Sequence, residues 1–122
     1  MNDAALDGNG RILVAGTTTP ACGTTGAPDG RLIRLTSAGA LDTSFSTDGI
    51  ANVRYTTTSD GAERALAIVV RFSGEILVGG SVDGDGAGSA LGDNAAFQRF
   101  TSAGVDLNVI SGTFTGTPQR LT

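Results

Sequence analysis

Gly10-Arg11-Ile12-Leu13-Val14-Ala15-Gly16 returns as Gly74-Glu75-Ile76-Leu77-Val78-Gly79-Gly80, 64 positions on (74 − 10). Leu32-Ile33-Arg34-Leu35-Thr36-Ser37-Ala38-Gly39 returns as Phe97-Gln98-Arg99-Phe100-Thr101-Ser102-Ala103-Gly104, 65 positions on (97 − 32). Two separate blocks that agree within one residue make the chain two copies of one unit of roughly 60 residues. The 122 residues therefore divide as 1–60 and 61–122, two repeats within one structural domain. A chain of this length has no room for a second independent domain.

Inside each unit the pattern is that of strands and turns. Ala65-Leu66-Ala67-Ile68-Val69-Val70 breaks at Phe72-Ser73-Gly74 and resumes as Ile76-Leu77-Val78. Short β-branched runs of this kind suit strands covered on both faces. Asn9-Gly10 and Ser73-Gly74 are hairpin signals, because the turn needs a positive φ. Segments 30–36 and 95–101 place Arg34 and Arg99 among apolar neighbours and are expected to lie half exposed. Segments 49–56 and 107–115 carry Thr and Ser and suit outer edges. Four strands per unit result. A helix is hard to place, since Gly (19 in all) or Pro interrupts nearly every window of ten, and an interior Gly costs a helix about 1 kcal/mol relative to Ala. The longest Gly-free stretch, 62–73, is too continuously apolar for one amphipathic face.

Charge and composition exclude several functions. A net charge of −4 forfeits the counterion-release term that drives nucleic-acid binding. All eight basic residues are Arg, which can fork onto carboxylates but cannot form a Schiff base. His is absent, and with it the commonest general base, metal ligand and pH switch. The single Cys22 cannot close an internal disulfide; without a His to lower its pKa it is expected to be inert or intermolecular. No apolar run approaches the roughly 18 residues of a membrane span, and Asn2, Asp3 and Ala4 do not open a signal peptide, so membrane insertion is not expected.

Two polar connections, Thr17 to Asp29 and Ser81 to Asn94, occupy the same place in each copy and are where binding would reside. The second contains Asp83-Gly84-Asp85-Gly86, which with Asp93 mimics part of a calcium loop of twelve residues. Asp83, Asp85 and Asp93 are thus the candidate metal ligands, and calcium the one candidate cofactor. Position five is Ala87 and position twelve Asn94, where the motif wants an oxygen ligand and a bidentate Glu. A solvated turn is the plainer reading of the loop. Ser46-Thr47-Asp48-Gly49 has the form of a sialidase-type Asp-box turn without its Trp, and Tyr55 with Arg54, Glu63 and Arg64 would be the only neighbours for such chemistry. Ordinary strand and turn roles are preferred for all of these. Arg34 and Arg99 stand at equivalent positions, and their expected role is blade packing, paired with an Asp of the neighbouring unit such as Asp42 or Asp106.

A four-stranded antiparallel unit of roughly 60 residues is the size of a β-propeller blade. Residues 4–16, followed by Gly30-Arg31-Leu32-Ile33-Arg34-Leu35 and Leu41-Asp42-Thr43-Ser44-Phe45, resemble the bacterial delta-60 repeat. The second copy departs from it at Phe72-Ser73-Gly74-Glu75 and at Val105-Asp106-Leu107-Asn108-Val109. The resemblance implies an extracellular or cell-surface scaffold of recognition repeats with no catalytic residues. Propellers close with roughly four to eight blades, so two units leave two apolar faces unpaired. The tail Thr117-Pro118-Gln119-Arg120-Leu121-Thr122 loosely echoes Gly61-Ala62-Glu63-Arg64-Ala65-Leu66, as though a third unit were starting.

Either the chain is a piece of a longer array, or copies close a ring around an axis, or the sheets pack face to face as a closed dimer; the expected fold is all-β, two tandem four-stranded antiparallel blades, with completion by oligomerisation preferred. The expected function is a non-enzymatic scaffold whose partners are further copies of itself and a protein or glycan. A purely structural assembly repeat is the nearest alternative. A hydrolase using carboxylates alone, with Glu63 and Glu75 its only Glu residues, is the more distant one.

Overall fold

The computed structural model of the chain describes residues 1–18, 28–55, 62–83 and 93–110. It contains eight strands: β1 (Asp3–Leu6), β2 (Ile12–Thr17), β3 (Gly30–Leu35), β4 (Ile50–Val53), β5 (Glu63–Val70), β6 (Ile76–Asp83), β7 (Asp93–Phe100) and β8 (Asp106–Ile110). They form two four-stranded antiparallel sheets in the orders β1-β2-β3-β4 and β5-β6-β7-β8. No helix occurs among the described residues, and none is long and apolar enough to cross a membrane.

The repeated blocks occupy matching places. Ile12 pairs with Leu35 as Ile76 pairs with Phe100, and Leu13 faces Arg34 as Leu77 faces Arg99. Gly10 (φ 75°) and Gly74 (φ 88°) turn the β1–β2 and β5–β6 hairpins, where a left-handed residue is needed. The two Thr-Ser-Ala-Gly segments fold alike. Gly39 N–H donates to the Thr36 carbonyl at 2.9 Å and Gly104 N–H to the Thr101 carbonyl at 3.0 Å, with φ of 87° and 83°.

One face of each sheet is buried against the other sheet. Leu13, Ala15, Leu32, Ala51 and Val53 from the first sheet share a core with Ile68, Ile76, Val78, Ala96 and Phe100 from the second. Strand β5 lies across all four strands of the first sheet. Two expectations need correction. The continuous apolar run of β5 and β6 is covered on one face only: Ile68, Ile76 and Val78 are buried, while Val69 is 55% exposed and Leu66 is also exposed. The run is continuous because both faces are apolar, not because both are covered. Arg34, expected half exposed, is 2% exposed, because alternation places it beside Leu32 on the inner face of β3. Strand β4 also ends earlier than the expected 49–56, while 111–115 of the other expected edge strand lie outside the described residues.

Candidate functional site

The contact between the two sheets gathers several of the polar and charged side chains of the described residues. Arg34 sits at its centre. Its Nε donates to Asp42 Oδ2 at 2.8 Å, one Nη to Ser44 Oγ at 3.3 Å, and the other Nη to the Ser102 carbonyl of the second sheet. The guanidinium also lies 4.6 Å from the centroid of the Phe45 ring. A buried cation persists only where it is paired and hydrogen-bonded, and this one has a carboxylate, a carbonyl, a hydroxyl and an aromatic face. Asp42 belongs to the same unit as Arg34, not to the neighbouring one as expected. It fixes the guanidinium, and the Ser102 carbonyl is what that guanidinium reaches across the junction. The Ser44 hydroxyl, acting against desolvation and joined by the Ser44 N–H and Arg34, holds the Asp42 carboxyl below its ordinary range.

Phe45 completes the junction. It is wholly buried, and a Cβ placed on Gly104 would lie 2.8 Å from its ring, so only glycine lets the turn of the second sheet close over it. The following residues, Ser46 (φ 50°) and Thr47 (φ 75°), both adopt left-handed backbone, unusual for a β-branched Thr. Ser46 N–H donates to the Ala103 carbonyl at 2.9 Å, and Asp48 Oδ1 accepts from Ile50 N–H at 2.9 Å. The segment that resembles an Asp-box is thus a strained turn pinned to the second sheet.

At the other end of the junction Tyr55 is buried, its hydroxyl donating to the Arg64 carbonyl at 3.3 Å and its N–H to Glu63 Oε1 at 3.0 Å. Burial, with the Glu63 charge, pushes the phenol well above its ordinary value. Gln98 Oε1 accepts from Arg54 N–H at 2.8 Å. The structure brings Tyr55, Glu63 and Arg64 together, but inside the packing between sheets. Gly80 is required there too, since an added Cβ would fall 1.7 Å from the Arg64 carbonyl.

Asn2 and Asp3 supply a clamp that sequence reasoning passed over. The β5 strand bulges between Ala65 and Ala67. Asp3 Oδ2 accepts from Ile68 N–H at 2.8 Å, and Asn2 Nδ2 donates to the Ala65 carbonyl at 2.8 Å. Strand β5 is the edge of its sheet, so alternate backbone groups point away from β6, and beside the bulge the first sheet satisfies two of them. Nothing in a linear reading announces the bulge.

Arg99 is placed differently from Arg34. Its Nη2 donates to Glu75 Oε1 at 3.0 Å, not to Asp106, because Glu75 closes the hairpin next to it and also holds Arg71 at 2.7 Å. The Arg99 Nε is buried without a hydrogen-bond partner. Asp7 and Arg11 form the corresponding pair of the first hairpin at 2.6 Å, with the charges reversed relative to Arg71 and Glu75. Desolvation works to raise Asp7, but the N–H groups of Arg11 and Asn9 and the Arg11 guanidinium outweigh it and hold the carboxyl low. Between the two hairpin turns opens a cleft of about 660 Å³, walled by Asp7, Asn9, Arg11, Arg71 and Ser102, with Phe72 fully exposed at its lip.

Of the calcium candidates, the Asp83 and Asp93 backbones face each other across the β6–β7 ladder. Asp85 lies outside the described residues, as do Cys22, most of both polar connections and the 117–122 tail. Among the described residues no three His, Cys, Asp or Glu side chains gather to hold a metal ion.

Residues 8–45 are similar to a family described as "Domain of unknown function (DUF5122) beta-propeller". That span runs from the first hairpin turn to Phe45, so it holds the Arg34–Asp42 pair and the ring that Gly104 covers. The match supports a β-propeller-like repeat. No curated protein and no solved structure matches the chain.

Proposed function

We propose that this chain is a non-enzymatic repeat scaffold that assembles through its sheet faces into a larger propeller-like ring and offers its loops to a protein or glycan. One observation carries the reading. Both outer faces of the sheet pair are apolar and open: Leu6 and Leu41 are exposed on the first unit, and Leu66, Val69 and Phe97 on the second. Contiguous exposed apolar surface of this kind marks an interaction site. The hairpin-lined cleft favours a binding module over a purely structural repeat, because it sets an exposed aromatic beside paired charges at one end of the stack. The absence of His, with Tyr55 and Glu63 engaged inside the junction, supports a non-catalytic role. Placement at a bacterial surface rests on the delta-60 resemblance alone. Light scattering of the purified chain tests assembly: a mass of several copies is expected, and a well-folded monomer at all concentrations overturns it.

A further inference from the structure

The duplication gives the two open faces an identity. In the first sheet Leu13, Ala15, Leu32 and Arg34 form the inner face; their counterparts in the second, Leu77, Gly79, Phe97 and Arg99, form the outer face, with Phe97 49% exposed. Conversely, Ile76, Val78 and Phe100 are buried in the second sheet, and their counterparts Ile12, Val14 and Leu35 lie half-buried on the outer face of the first. The internal contact is therefore heterologous, one kind of face laid on the other, and the pair ends with one unsatisfied face of each kind.

We propose that a second copy of this chain docks head to tail, laying the open face of its first sheet on the open face of the second sheet, with Arg99 donating to the carbonyl of that copy's Ser37. The proposal rests on the assembly reading above and states its polarity and contact. Three observations carry it. Ser37, Ala38 and Gly39 form a turn with the same sequence and conformation as Ser102, Ala103 and Gly104, and all three are exposed. Arg34 reaches the Ser102 carbonyl through one Nη, whereas Arg99, held to Glu75 through its Nη2, leaves its side chain 39% exposed on the open face. The features that do not recur are matched as well. Ala67 stands where the first unit has Asp3, and Ala4, the counterpart of Ile68, already has its N–H on Asp3 Oδ1 at 2.9 Å, so the second junction needs no clamp there. Repetition of one heterologous contact gives a ring if the rotation closes and a filament if it does not.

Two variants test this, each checked for its fold by circular dichroism. Phe97→Arg removes the open face of the second sheet, and Val14→Arg that of the first, with Leu6→Arg in reserve because Leu6 is exposed. Each variant alone is expected to be monomeric, and a 1:1 mixture to form a two-chain species by native mass spectrometry and nothing larger. Arg99→Met is expected to weaken self-association of the otherwise natural chain about tenfold or more. A variant that self-associates on its own, or a mixture that stays monomeric while the natural chain assembles, overturns the head-to-tail pairing and leaves the assembly reading standing. A natural chain that is itself monomeric overturns both.

Discussion

The packing of Phe45 beneath Gly104 can be measured as a coupling. Phe45 is fully buried, and truncation of a core Phe to Ala costs about 3–5 kcal/mol, in part through the cavity left behind. Gly104→Ala carries two penalties. Its φ of 83° disfavours any L side chain by about 1–2 kcal/mol, and the new methyl meets the Phe45 ring at 2.8 Å, an overpacking clash of about 1–3 kcal/mol. In the Phe45→Ala background the ring is gone and the methyl enters the void, so only the backbone penalty remains. The double variant should therefore be more stable than the sum of the singles by about 1–3 kcal/mol, the range expected for residues in contact. Urea unfolding followed by far-ultraviolet circular dichroism, at one protein concentration, gives the four free energies. If Phe45→Ala alone leaves too little folded chain, Phe45→Leu supplies the milder background. Additivity within about 0.5 kcal/mol would refute the contact, since the φ penalty alone is the same in both backgrounds.

Tyr55 is the only tyrosine, so absorbance at 295 nm reports one phenol; it should stay un-ionised through pH 10 and appear only as the chain unfolds. Its folded pKa lies above the unfolded one, so the stability it contributes is present below about pH 10 and is lost as pH rises past that value; a reversible titration near pH 10 in folded protein contradicts its burial. Asp7 and Asp42 have folded values below their unfolded ones, so their contribution is present above about pH 4 and is lost as pH falls through the folded values. An acid melt of Asp42→Asn should be shallower than that of the natural chain. Asp3→Ala leaves Ile68 N–H without its acceptor and should destabilise by about 1–3 kcal/mol, with faster hydrogen exchange at Ile68 as the residue-level check; unchanged protection would mean that this N–H is satisfied otherwise. Melting curves in calcium and in chelator should superimpose, because Ala87 and Asn94 fill two ligand positions of the loop; a rise of several degrees with calcium would establish the site.

Strand count, antiparallel pairing and the equivalence of the two sheets were legible in the repeated Ile-Leu-Val and Thr-Ser-Ala-Gly blocks, because apolar spacing and positive-φ turns are local properties. The recurrence of Arg34 and Arg99 marked both as positions of interest. It could not say that one is buried and the other partly open, because that depends on which face meets a neighbour. Asp42 was found as a partner, yet Glu75 was not, since the swap of Asp7 and Arg11 for Arg71 and Glu75 moves the carboxylate to another strand end. Asn2, Asp3 and Gln98 hold backbone groups more than forty positions away. Sequence alone determined a duplicated four-stranded unit whose faces are apolar on both sides. Tertiary structure decided that unlike faces meet, because only the stacking of one copy on the other chooses which alternate residues lose their water.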